Sequence, residues 1–328
     1  MLDTPLPGRV QLVTTRSLHY TRPGAPPTGT RTAGILPADA PQLPAGLPGI
    51  DAISARAGGE NFRVASFVLP ARTRAALMDV YRYARFVDEI GDSFEGDRLE
   101  ALDWLEGELS RGLSGDAHLN PAVAGAADLA RQGMIEADPL FRLIEANRMD
   151  QLVQRYETFE QLVGYCELSA NPVGRLVLEL FGLSTPPRVQ WADFICTGLQ
   201  LAEHLQDVAE DAESGRVYLP MEDLRAFGVA PSELGGGRSA SAALRALLAF
   251  EATRAQAFLD RGAPLIASVG GRARVAIAGF WAGGHAALDA LEREEFDPLS
   301  HRARTSRSRV GWHLARALVA PRRIGSTR

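Results

Sequence analysis

The sequence predicts an all-α fold, a single helical domain around a central cavity. Three observations carry this. From about residue 57 onward, apolar residues recur at helical spacing. Strand-like alternation is nearly absent. The breaks between periodic segments are short and rich in turn residues, as in "SGD", "STPP" and "APSELGGGRSAS".

The elements follow in chain order. Residues 1–56 are rich in Pro, Gly, Thr and Ala ("TRPGAPPTGTRTAG", "LPADAPQLPAGLPG") and read as a disordered or loosely packed extension. The helical domain runs over 57–305. "PARTRAALMDVYRYARFVDEIGD" places Leu77, Val80, Tyr81, Ala84 and Val87 at helical spacing. Further helices are expected near 97–113, 120–133, 138–154, 158–182, 188–212, 239–267 and 271–295. Pro172 falls inside one of them and predicts a kink, because proline lacks the N–H a helix interior needs. "GRVYLP" reads as a short extended piece. Residues 306–328 form a basic tail, in which Arg surrounds Trp312, Leu314 and Leu318. Such a tail fits peripheral contact with an anionic membrane or simple solvation.

Composition narrows the partners. A hydrophobic content of 46% with 23% charged residues suits a soluble globular protein. A net charge of −5 gives no overall pull toward nucleic acid, so no nucleic-acid partner is expected. All 35 basic residues are Arg, so every cation is a planar fork suited to phosphate. The two cysteines, Cys166 and Cys196, lie in apolar helical text and fit a reduced compartment better than a disulfide framework. The start "MLDTPLPGRVQLVTT" has no apolar signal region, and no run of about 20 apolar residues exists. The expectation is a cytoplasmic protein whose membrane contact, if any, is peripheral at the inner face.

Two acidic stretches interrupt the apolar text. In "VYRYARFVDEIGDSFEGD", Asp88 and Asp92 are four apart and share a helix face, with Glu89 turned aside. In "LAEHLQDVAEDAESGRVYLP", Glu203, Asp207 and Asp211 fall at i, i+4 and i+8, one continuous stripe. Carboxylates this close repel one another and resist burial. One such stripe alone reads as readily as a solvated face. Two, each within apolar helical text, point to opposed faces that clamp a diphosphate through Mg²⁺, a hard cation that takes oxygen ligands. Arg85 and Tyr81 lie on the acidic side of the first motif, and Arg216 and Tyr218 follow the second. Arg forks are the usual diphosphate partners, although any single Arg–Asp neighbour pair reads equally as a surface ion pair. Phe62, Phe67, Phe86, Phe181 and Phe280 are candidates for stabilising a carbocation by cation–π contact, each also explicable as plain core.

"YRYARFVDEIGD" together with "QLAEHLQDVAEDAESGRVYLP" resembles the squalene/phytoene synthase family of the isoprenoid (terpenoid) synthase fold. The resemblance spans roughly 57–305. It implies that Asp88 and Asp92 are the first metal motif, and that Asp207 and Asp211 are the second, with Glu203 where most members carry an Asn ligand. Two or three Mg²⁺ ions are implied. Tyr81, Arg85, Gln200, Arg216, Tyr218 and Arg302 match positions that bind the substrate diphosphate. Tyr165 and Arg85 match family positions and, with Asn171, are the catalytic candidates; Asn171-Pro172 stands where condensing members tend to have Gly-Thr or Gly-Ser. The family's Tyr on the last helix aligns near Gly284 or His285.

Within the family, "ENFRVASFVLP", "FRLIEANRMDQ", "YCELSANPVGRLVLELFG" and "CTGLQLAEHLQDVAED" look like the hydroxysqualene-forming branch of bacterial hopanoid synthesis. That branch implies a carbon–oxygen lyase that converts presqualene diphosphate to hydroxysqualene and diphosphate, without a nicotinamide cofactor. Tyr165, Asn171 and His204 are candidates to place the quenching water. The nearest alternative is a transferase condensing two prenyl diphosphates to presqualene diphosphate, squalene or phytoene. A non-catalytic helical scaffold is the alternative from another class; the retained motif acids argue against it.

Overall fold

The computed structural model describes residues 70–235, 239–300 and 303–319. They form thirteen α-helices: α1 Ala71–Asp92, α2 Arg98–Leu113, α3 Pro121–Arg131, α4 Asp138–Leu152, α5 Phe159–Ser169, α6 Asn171–Leu180, α7 Pro186–Gln206, α8 Val208–Glu213, α9 Met221–Phe227, α10 Ala242–Gly262, α11 Pro264–Ser268, α12 Gly271–Arg293 and α13 Arg307–Val319. The all-α expectation holds. The one extended contact among the described residues is a parallel bridge from Arg155 to Val217, the latter in the predicted "GRVYLP" piece.

Helix starts follow local chemistry. Asp97, Asn120, Thr158 and Ser241 each accept a backbone N–H of the following first turn, from Glu100, Ala122, Gln161 and Leu244. Pro121 adds a preset φ at the first position of α3.

Three expected helices divide, the run near 239–267 at Ala263, between α10 and α11. The run over 158–182 breaks at Ala170 (φ −101°, ψ −45°), and α6 starts afresh with Pro172 in its first turn. The predicted kink is therefore a complete break. The stripe Glu203–Asp207–Asp211 does not lie on one helix, which corrects the sequence expectation. Asp207 (φ −104°, ψ 14°) ends α7 and starts α8, although its backbone still links Glu203 and Asp211 by 3.0 and 2.8 Å hydrogen bonds.

The described residues bury two apolar clusters. One joins α1–α4, with Phe86, Ile90, Leu102, Leu105, Leu109 and Ile144 fully buried. The other surrounds α7, α10 and α12. A fully buried side chain of this size contributes about 1.5–3 kcal/mol. Phe86 belongs to this account: it meets Trp104 edge to face at 6.3 Å and lies outside the cavity lining. The candidacy of Phe86 as a cation stabiliser fails on that packing. Phe62 and Phe67 lie outside the described residues.

Part of the segment read as a basic tail is helix. In α13, Val310, Leu314, Ala317 and Leu318 pack inward, and Arg274 Nη2 donates to the Leu318 carbonyl at 3.0 Å. No helix among the described residues is long and apolar enough to cross a membrane.

Candidate active site

The two clusters flank a cavity of about 800 Å³, within the ~300–1,000 Å³ typical of small-molecule sites. Along α7 its lining passes from apolar (Ala192, Ile195, Leu199) to polar (Gln200, Glu203 and, at the helix end, Asp207). The polar end takes Tyr81, Arg85, Asp88 and Asp92 from α1, Gln200 and Glu203 from α7, Asp207 from the α7–α8 break, Asp211 from α8, and Arg216 and Tyr218 from the following loop. The apolar lining includes Val173, Val177, Ile195, Leu199, Ile277 and Phe280. Of the five aromatic candidates, Phe280 lines the cavity.

Arg216 ties the two motifs together: its Nη2 donates to Asp92 Oδ1 at 2.9 Å. Arg85 lies 3.9 Å from Asp88 and 3.7 Å from the buried Glu89. Gln200 Nε2 contacts His204 Nε2 at 3.3 Å, and His204 Nδ1 is 3.9 Å from Asp211. The His204 ring stacks on Tyr218 with centroids 3.8 Å apart. His204 thus takes a fixed place beside the second motif.

Two residues of this site were not singled out from the sequence, Asp150 and Asn147 of α4. Asp150 Oδ2 accepts the Tyr165 hydroxyl at 2.7 Å, and Oδ1 accepts the Tyr218 hydroxyl at 3.0 Å. Asn147 Nδ2 donates to Asp88 Oδ1 at 3.4 Å. Helical spacing on "ANRMDQ" puts Asn147, Asp150 and Gln151 on neighbouring positions of one turn, which was the available signal. Gly91 lets this helix approach: a Cβ there would lie 1.9 Å from Asn147 Oδ1, and Gln151 Nε2 donates to the Gly91 carbonyl at 2.9 Å. Gly174 does the same between α6 and α7, where a Cβ would sit 2.6 Å from Cys196 Sγ.

Asn171 is not brought to the site. Its side chain is buried and accepts the Thr197 hydroxyl at 3.0 Å, away from the cavity lining. The break at Ala170 starts α6 there and turns Asn171 into the packing against α7. Gly284 and His285 are also outside the lining; His285 is buried against Trp281 and His313, with centroids 4.0 and 5.3 Å away. Arg302 lies outside the described residues.

The electrostatics are lopsided. Six carboxylates (Asp88, Asp92, Asp150, Glu203, Asp207, Asp211) share the cavity wall with two guanidiniums. The Asp88 side chain keeps 43% exposure, directed into the cavity, yet enclosing protein raises its carboxyl to about 6; Arg85 opposes that shift and Asp92 adds to it. Burial also raises Asp150, against the hydrogen bond from Tyr165 and the charge of Arg216. Burial, then the Asp150 charge, pushes Tyr165 and Tyr218 up, so both hydroxyls keep their protons and donate. Burial pushes Cys196 up to about 12, which keeps this cavity-lining thiol protonated and a poor nucleophile.

This donor set fits hard divalent cations: every acidic side chain offers oxygens, and six carboxylates face only two guanidiniums. Among the described residues, no three His, Cys, Asp or Glu side chains are grouped to hold an ion by themselves. Ions here would complete their shells with water and substrate oxygens.

A family model described as squalene/phytoene synthase matches residues 55–309. The chain is 39% identical to a hydroxysqualene synthase of Rhodopseudomonas palustris over 215 residues, 64% of this chain and 71% of that protein. It is 37% identical to a hydroxysqualene synthase of Sinorhizobium fredii over 216 residues, with the same coverage. The crystal structure of squalene synthase HpnC from Alicyclobacillus acidocaldarius superposes with a TM-score of 0.70 at 39% identity, covering 76% of this chain and 95% of that one.

Proposed function

The chain belongs to the squalene/phytoene synthase family, and on that premise we propose that it converts presqualene diphosphate to hydroxysqualene and diphosphate. One observation supports this most: a single cavity joins a carboxylate-and-arginine pole to an apolar chamber, as ionisation of a long prenyl diphosphate requires. The hydroxysqualene synthases at 37% and 39% identity support the choice of reaction.

Asp88, Asp92, Glu203, Asp207 and Asp211 would hold Mg²⁺, which would neutralise charge on the departing diphosphate. Arg85 and Arg216 donate to that diphosphate; Arg216 leaves Asp92 to do so or shares its fork between the two. The C–O electron pair leaves with the diphosphate, and a cyclopropylcarbinyl cation remains. Val177, Leu199, Ile277 and Phe280 exclude water while the carbon skeleton rearranges. Asp150 fixes the Tyr165 and Tyr218 hydroxyls in the cavity wall. Water then adds to the cation and loses a proton, giving the alcohol.

A second reading is supported by the likeness to the Alicyclobacillus squalene synthase: condensation of two prenyl diphosphates. The purified chain with MgCl₂ and no NADPH, given presqualene diphosphate or farnesyl diphosphate separately, distinguishes them by product mass. Hydroxysqualene from presqualene diphosphate, with farnesyl diphosphate untouched, is expected. Presqualene diphosphate or squalene formed from farnesyl diphosphate would replace the lyase reading with the transferase one.

A further inference from the structure

The last helix has two apolar sides. Its inner side, Val310, Leu314 and Ala317, packs on the core, and His313 is buried with Nε2 2.9 Å from Asp289. Its outer side sets Trp312, Ala315 and Val319 at i, i+3 and i+7, one exposed face. Trp312 is 54% and Val319 81% exposed. They are two of the five exposed large hydrophobic residues among the described ones, so large apolar exposure concentrates on this one short helix.

Charge surrounds that face. Arg304, Arg307, Arg309 and Arg316 are exposed around it, with the Arg316 guanidinium 5.7 Å from the Trp312 ring centre. The acids facing them from neighbouring helices are Asp289, 3.6 Å from Arg309 and shared with His313, and Asp260, which feels the Arg316 charge. No acid follows Asp297 in the sequence, whereas eight arginines do, within a chain whose net charge is −5. The basic charge is therefore local to the segment that exposes Trp312. A flat apolar strip bordered by arginines on an amphipathic helix matches an anionic bilayer interface, where the indole sits at headgroup depth and the guanidiniums meet lipid phosphates. A second copy of the chain would bring the same positive charge to the same face, and the two would repel.

We propose that the outer face of α13 docks this protein on anionic phospholipid bilayers through Trp312 and Val319, with Arg307 and Arg316 on lipid phosphates. α12 joins this helix to the site: it gives Ile277 and Phe280 to the cavity wall and Asp289, Trp281 and His285 to the contact with α13. The inference rests on the surface alone and stands whichever reaction the cavity performs.

The test is co-sedimentation of the full chain with vesicles of phosphatidylcholine alone, or of equal parts phosphatidylcholine and phosphatidylglycerol, at low and high salt. Expected is binding to the anionic vesicles that salt weakens, and none to the neutral ones. Removing one arginine near a bilayer lowers partitioning about five-fold. Arg307→Gln with Arg316→Gln is therefore expected to cost at least ten-fold, and Trp312→Ser a comparable amount. Circular dichroism and the thermal midpoint check that both variants fold. Equal binding to both vesicle types overturns the proposal, as does binding that both folded variants retain. Absence of vesicle binding, with self-association that Trp312→Ser abolishes, would assign the face to a second copy instead.

Discussion

Arg216 and Asp92 are 124 positions apart in sequence, and the guanidinium of one donates to the carboxylate of the other at 2.9 Å. This bond closes the polar end of the cavity by linking the two acidic motifs. Its structural worth is small. The Asp92 side chain is 54% exposed, and an ion pair so placed contributes only about 0–1 kcal/mol. Arg216→Lys keeps the charge and loses the planar fork. Its thermal midpoint is expected within about 2 °C of the parent, while kcat falls on the order of 100-fold. Steady-state kinetics beside a melting curve checks both halves.

Asp88 gives a pH dependence. The ordinary aspartate value is 3.8, and the folded carboxyl sits at about 6. The fold therefore binds this proton more tightly than the unfolded chain does. Asp88's contribution to stability is fully present below about pH 4 and is lost as pH rises through 6. The metal-free protein is expected to melt lower at pH 7 than at pH 5, and Asp88→Asn to reduce that difference. MgCl₂ should raise the parent's midpoint more at pH 7, where the ligand is ionised. Four melting curves on each protein are sufficient; equal Mg²⁺ shifts at both pH values would contradict the assignment.

Asp150 accepts two hydroxyls, one on each oxygen. An amide offers a single acceptor oxygen, so Asp150→Asn leaves the Tyr165 or Tyr218 hydroxyl proton without its acceptor. Because burial raises the Asp150 carboxyl, removing its charge costs the fold little. The expected result is a kcat lowered about 10- to 100-fold with KM near the parent value. Asp150→Asn combined with Tyr165→Phe should fall short of the summed effects, because both act on one network. Unchanged kcat in the folded variant would reduce Asp150 to a structural residue.

Asn171 is expected to behave in the opposite way. Its buried carbonyl oxygen holds the Thr197 hydroxyl, and Asn171→Ala strands that hydroxyl at a cost of about 1–3 kcal/mol. Urea unfolding should show the loss, with kcat of the folded protein within two-fold of the parent.

The acids, arginines and tyrosines that share a helix face with a motif were legible in the sequence. The reason is that spacing of three or four residues fixes them relative to one another before any tertiary contact forms. Asp88 with Asp92 and Arg85, and Gln200 with Glu203, are of this kind, and all of them line one cavity. Asp150 and Asn147 were not legible, since their importance comes from which helix packs across from α1, and Gly91 permits that approach. Asn171 was misplaced for a related reason. Proline announces a break but not which way the next helix faces, and α6 buries Asn171 against Thr197. The Glu203 stripe was read as continuous because its spacing is helical; the backbone departs from the helix at Asp207 itself. The arginines of 307–319 hid a helix whose inward residues Val310, Leu314 and Ala317 keep helical spacing.

The central claim is that two acidic faces act together, through Mg²⁺, on one diphosphate. Calorimetric titration of inorganic pyrophosphate into the purified chain, with and without MgCl₂, tests it without needing a prenyl substrate. Binding that requires Mg²⁺ and weakens at least ten-fold in both Asp88→Asn and Asp207→Asn is the expected result. Pyrophosphate binding that ignores Mg²⁺, or that either folded variant retains in full, would contradict it.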